Sequence, residues 1–126
     1  MKKIILSQEA PAAIGPYSQA IDIGNLVFCS GQIPLDPKSG NVIQGDIAVQ
    51  TEQVMKNIQA VLKAADLQLS NVVKTTIFLT DMKDFPRVNE VYGKYFAQNP
   101  PARSTVAVSA LPKGVNVEIE VLAYRG

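Results

Sequence analysis

The chain has 126 residues, enough for one domain around a single core, and its 47% hydrophobic and 18% charged residues describe an ordinary globular composition. A formal net charge of +1, with no run of like charges longer than Lys2-Lys3, argues against a nucleic-acid-binding footprint. Histidine is absent and Cys29 is the one cysteine. This excludes Ser-His-Asp and Cys-His catalysis, histidine zinc sites, and internal disulfides or thiolate metal sites within one chain.

Residues 2–6 read as a short strand. Two lysines before Ile4-Ile5-Leu6 resemble the start of a leader, but Ser7, Gln8 and Glu9 end the apolar run. It falls short of the roughly 7–15 residues an exported leader needs. No stretch reaches membrane-span length, and a lone cysteine suits a reducing compartment, so the expectation is a cytosolic protein without a membrane partner. A polar loop through Pro11 to Pro16 leads to residues 18–23 and 26–33, two strands of a hairpin about Gly24-Asn25. Residues 34–40, dense in turn formers, predict a loop.

Asp46 is an N-cap candidate for a helix to about Ala65, with Ile47, Val54, Ile58, Val61, Leu62 and Ala65 on its buried face. Residues 72–80 form a β-branched strand. Asp84 is the next cap candidate, opening a helix with Phe85, Val88, Tyr92 and Phe96 on one side, which Pro100-Pro101 stops. Residues 103–108 predict a strand, 111–114 a turn and 115–124 the last strand. The order ββ(β)-α-β-α-ββ specifies an α+β class, one domain over residues 1–126, with two helices packed on one face of a sheet.

In the last strand Val115, Val117, Ile119, Val121 and Ala123 alternate with Asn116, Glu118, Glu120, Leu122 and Tyr124. Elsewhere both faces carry apolar residues: Leu26 and Phe28 alternate with Val27 and Cys29, and Val73, Ile77 and Leu79 with Val72, Thr76 and Phe78. Two helices cover one face, so the other calls for a second copy of the chain.

Arg103 opens a strand of small and apolar residues. Its plain reading is an exposed arginine at a strand end. The sharper one is a guanidinium held to grip a carboxylate through two parallel hydrogen bonds. Glu120 is a solvated carboxylate if its face stays open, and a raised-pKa acid or base if that face is covered. Glu118 shares its face, and alternation alone does not choose between them. Tyr17, Ser30 and Asn89 have structural readings as a turn tyrosine, a strand-end hydroxyl and a helix amide. Gly31 marks either a bulge or a close approach, and Cys29 packs as a small hydrophobe.

Pro101-Ala102-Arg103-Ser104-Thr105-Val106, then Leu111 and Val117-Glu118-Ile119-Glu120, resembles the C-terminal signature of the reactive-intermediate deaminase family, the YjgF or Rid type. Residues 10–20, 30–35 and 89–92 are similar to further motifs of that family, in the same order along the chain. The resemblance implies a chorismate-mutase-like fold, a mixed sheet and a homotrimer with clefts between subunits. It implies hydrolysis of 2-aminoacrylate, 2-iminopropanoate or 2-iminobutanoate to 2-keto acids and ammonia, without metal or cofactor. Under it Arg103 binds the substrate carboxylate and Glu120 positions or activates water. Tyr17, Ser30, Gly31, Asn89 and Thr105 line the cleft, partly from the adjacent chain. The chemistry is feasible because a protonated imine is already electrophilic, so positioning and proton transfer suffice. Two positions depart from the family pattern: Thr105 stands where cysteine is frequent, and Ala107 where an acidic residue is common. A non-catalytic trimer sensing small keto or amino acids is the alternative reading, and an RNA-cleaving translation inhibitor a third that the charge does not support.

Overall fold

Alternation and turn chemistry translate directly into strands. The computed structural model describes residues 1–126 and contains β1 (Lys3–Ile5), β2 (Ala20–Asp22), β3 (Leu26–Gln32), α1 (Ile47–Ala64), β4 (Val72–Leu79), α2 (Phe85–Tyr95), β5 (Ala102–Ala107) and β6 (Val117–Tyr124). Short 3-10 turns occupy Leu69–Asn71, Met82–Asp84 and Pro112–Gly114. The strands form one mixed sheet in the order β1-β2-β3-β6-β4-β5. Only β4 and β5 run parallel, because α2 carries the chain back across the sheet between them. β5 is therefore an edge strand.

Asp46 caps α1 as expected, its carboxylate accepting from the Val49 amide at 3.0 Å. The expected apolar face of α1 is buried from Val54 to Ala65, and Met55 joins it. α2 differs at both ends. Asp84 is in a helical conformation and makes no side-chain cap; Asp81 instead caps the preceding 3-10 turn through the Lys83 amide. The helix ends at Tyr95, ahead of Pro100-Pro101, and Phe96 turns back into the core. No helix is long and apolar enough to cross a membrane.

Val117, Ile119, Val121 and Ala123 of β6 are buried and share one core with Val54, Met55, Ile58 and Leu62 of α1 and Val88 and Tyr92 of α2. Val73 departs from the simple alternation. A β-bulge between Val72 and Lys74 leaves it exposed and brings Thr75, Ile77 and Leu79 to the helix side. Across the sheet, Phe28 (42% exposed) and Tyr124 (48%) belong to a face that no element of this chain covers. The functional side chains divide between these faces.

Candidate active site

On the open face, β3 and β6 build a cleft of about 400 Å³. A β-bulge between Cys29 and Gln32 explains its shape, because both of those side chains are buried while Ser30 and Gly31 between them face the cleft. Gly31 serves as bulge and close approach at once. A Cβ there would lie 2.8 Å from Cδ of Glu118, so only glycine lets that carboxylate rest against β3. The Ser30 hydroxyl donates to the Ser18 carbonyl at 2.6 Å and its amide to the Gln19 carbonyl at 2.9 Å. Its proton is thus committed, leaving oxygen lone pairs for a ligand. Tyr17 is half-exposed on the opposite wall, its hydroxyl accepting from the Ile14 amide at 3.4 Å. Ile14, Ile33 and Pro112 supply apolar surface.

Glu118 and Glu120 both line this cleft because they are two residues apart on β6. They are not equivalent. Glu120 is exposed, whereas Glu118 is half-buried. Burial, and then the neighbouring Glu120 charge, push the Glu118 carboxyl above its ordinary range.

Arg103 lies elsewhere. It stands in register with the buried Thr75 and faces α2, not the cleft. Its Nη1 donates to Oδ1 of Asn89 at 2.7 Å, and its guanidinium carbon lies 4.9 Å from the Tyr92 ring centre and 5.2 Å from that of Phe85. The Tyr92 hydroxyl is itself held against Thr75 at 2.7 Å. Two rings and an amide therefore set the plane of the guanidinium without neutralising it. Of the three arginines, Arg87 reaches Asp46 at 3.7 Å and Arg125 pairs with Asp22 at 2.5 Å; Arg103 has no carboxylate partner. Thr105, two residues on along β5, pairs with Ile77 and is half-buried on the same side.

Register decides what meets what. Glu120 is opposite Thr76, which is opposite Ser104, so the open face continues from β6 to β5 without Arg103. Tyr17, Ser30, Gly31, Glu118 and Glu120 come together in one chain. Arg103 and Asn89 come together at the β5 edge, with Thr105 further along that strand. The two groups lie on opposite faces of the sheet, and β4 separates β6 from β5. From the sequence, Phe85 and Tyr92 read as one side of a helix and not as part of the site. Their signal was the i, i+4, i+7 spacing that sets Phe85, Asn89 and Tyr92 along one side of α2.

Residues 7–125 match the family model described as Endoribonuclease L-PSP. A RutC family protein of Pyrococcus horikoshii is 54% identical over 125 residues, covering 99% of both chains. A mouse protein named 2-iminobutanoate/2-iminopropanoate deaminase is 48% identical over 126 residues, covering 100% of this chain and 93% of its own. The crystal structure of Escherichia coli TdcF with bound serine superposes with a TM-score of 0.94 at 44% identity, covering 98% of this chain and 99% of that one.

Proposed function

The chain belongs to the endoribonuclease L-PSP family, the YjgF or Rid type, and from that premise we propose that it is a cofactor-free deaminase of small 2-imino and 2-enamino acids. The observation that carries this reading is Arg103, an exposed guanidinium fixed in orientation yet lacking a carboxylate. Such a group fits the carboxylate of an α-imino acid through paired, charge-assisted hydrogen bonds.

The site is shared between copies of the chain. The β5 edge of one protomer, bearing Arg103, Asn89 and Thr105, would meet the open face of its neighbour, bearing Tyr17, Ser30, Gly31, Glu118 and Glu120. A homotrimer closes that heterologous contact and covers Phe28 and Tyr124. Cytoplasmic residence is part of the same reading.

In the reaction, Arg103 binds the carboxylate of the protonated imine and presents C2 to a water molecule in the cleft. As the water oxygen bonds to C2, Glu118 accepts its proton, and the C=N electron pair moves onto nitrogen. Glu118 then returns the proton to that amine. The C–N bond breaks as the hydroxyl oxygen forms the keto group, and nitrogen leaves with the hydroxyl proton as ammonium. An elevated pKa suits a group that must take and return one proton. The resemblance pointed to Glu120 for water activation. We assign the proton transfer to Glu118, the more buried of the pair, with Glu120 supplying the charge that keeps Glu118 ready to accept it.

A purely ligand-binding trimer would need Arg103 but has no use for a half-buried acid offered to it by the neighbouring protomer. The test is direct: threonine dehydratase generates 2-iminobutanoate, and keto-acid release is followed with and without the protein. Release at the buffer rate would end the deaminase reading.

A further inference from the structure

One wall of the cleft is irregular chain. Residues 7–17 carry Ile14 and Tyr17, contain Pro11 and Pro16, and belong to no helix or strand. Such a segment has backbone groups that no ladder satisfies, so something else must hold it. The only side chain outside the segment to which its hydrogen bonds run is Gln19. Oε1 of Gln19 accepts from the Ser7 amide at 2.6 Å, and Nε2 donates to the Ser7 carbonyl at 3.2 Å and the Pro11 carbonyl at 2.8 Å. The other bonds within the segment are local, from Glu9 to Ser7, from Tyr17 to Gly15, and between Ile14 and Tyr17. Ala10 anchors it by packing into the core, and Glu9 makes one exposed ion pair with Lys63 at 3.6 Å.

Gln19 is 2% exposed and directly precedes β2. Its own carbonyl accepts from the Ser30 amide. One residue thus grips the cleft floor with its backbone and the segment that carries Tyr17 with its side chain, from just behind the cleft lining. An alkyl side chain of the same length would bury equally well and provide no such grip. We infer that Gln19 is a positioning residue, setting the distance between the Tyr17 wall and the Ser30–Glu118 floor and through it the affinity for substrate.

This inference rests on the cleft being the substrate site, and its test separates the two. Amide hydrogen exchange is measured on Gln19→Met, with far-UV circular dichroism checking the fold. Exchange should accelerate about tenfold or more across residues 7–17, with β3, β6 and α1 unchanged, because only local opening is affected. In the imine assay KM should rise about tenfold while kcat stays within about twofold and the pH profile keeps its inflection, the pattern of lost binding rather than lost chemistry. Gln19→Leu removes the same three hydrogen bonds with an apolar side chain. It should match Gln19→Met, and it carries the same comparison should Gln19→Met not fold. Unchanged exchange in residues 7–17, acceleration spread over the whole chain, or a fall in kcat at constant KM would each overturn the inference. If the wild-type protein itself hydrolyses no imine, the deaminase reading fails while the exchange measurement still decides whether Gln19 is the tether.

Discussion

The acidic cleft and the Arg103 corner control charge in opposite ways. Glu118 is half-buried beside a like charge, and both effects drive it toward the protonated form. Arg103 is exposed and has no opposing carboxylate; ring faces and the Asn89 amide govern its direction. A carboxyl group changes its protonation with burial, so its environment tunes its chemistry. A guanidinium stays charged at any working pH, so its environment tunes only where the charge points. The acidic region suits proton transfer and the basic one suits recognition, and neither holds both.

That division can be broken at either end. Glu118→Gln should give the largest loss, a fall in kcat of about 10²–10⁴-fold in the coupled keto-acid assay, because it removes the group proposed to carry the proton. Arg103→Ala should lower kcat/KM about 100-fold, and Arg103→Lys should recover only part, since a single ammonium cannot reproduce the paired contact. Mixing equal amounts of the Glu118→Gln and Arg103→Ala chains and refolding them together tests whether the regions come from different protomers. In a trimer with three equivalent shared sites, about a quarter of the sites regain both native residues, whereas a site within one chain stays dead in every mixture.

Smaller effects sharpen the electrostatic half. As a base, Glu118 must begin ionised, so kcat/KM should rise with pH through an inflection above the ordinary glutamate value of 4.5. Glu120→Gln removes one of the two causes of that elevation and should move the inflection down. Stability gives the smallest signal. A glutamate whose folded pKa is raised disfavours the folded state once pH exceeds its unfolded pKa. Glu118→Gln should therefore raise the thermal midpoint slightly near pH 7, and the gain should vanish near pH 4, where the wild-type side chain is protonated as well.

Periodicity and capping made the elements legible from sequence: Asp46 and the Val54–Ala65 face specify α1, and the strict alternation of β6 puts Glu118 and Glu120 on one side. These are local consequences of side-chain geometry, so no tertiary knowledge was needed. Apolar residues on both faces of the strands likewise announced that one face needs a cover. The bulge at Val73 was not legible, and Gly31 read as a bulge or a close approach without a choice between them, because a bulge arises from how two distant strands register, and β3, β4 and β6 meet only in the folded chain. Alternation left Glu118 and Glu120 equal, and only the packing of Glu118 over Gly31 separated them. Arg103 was visible as a residue, but its orientation depends on Phe85, Asn89 and Tyr92 from a helix 14 positions before it in the case of Asn89. Its place on the face opposite Glu120 follows from strand order and parallel pairing. Sequence alone determines which side chains are present and which share a strand face, since those follow from local repeats. Tertiary structure decides which of them meet, since that depends on contacts between residues far apart in the chain.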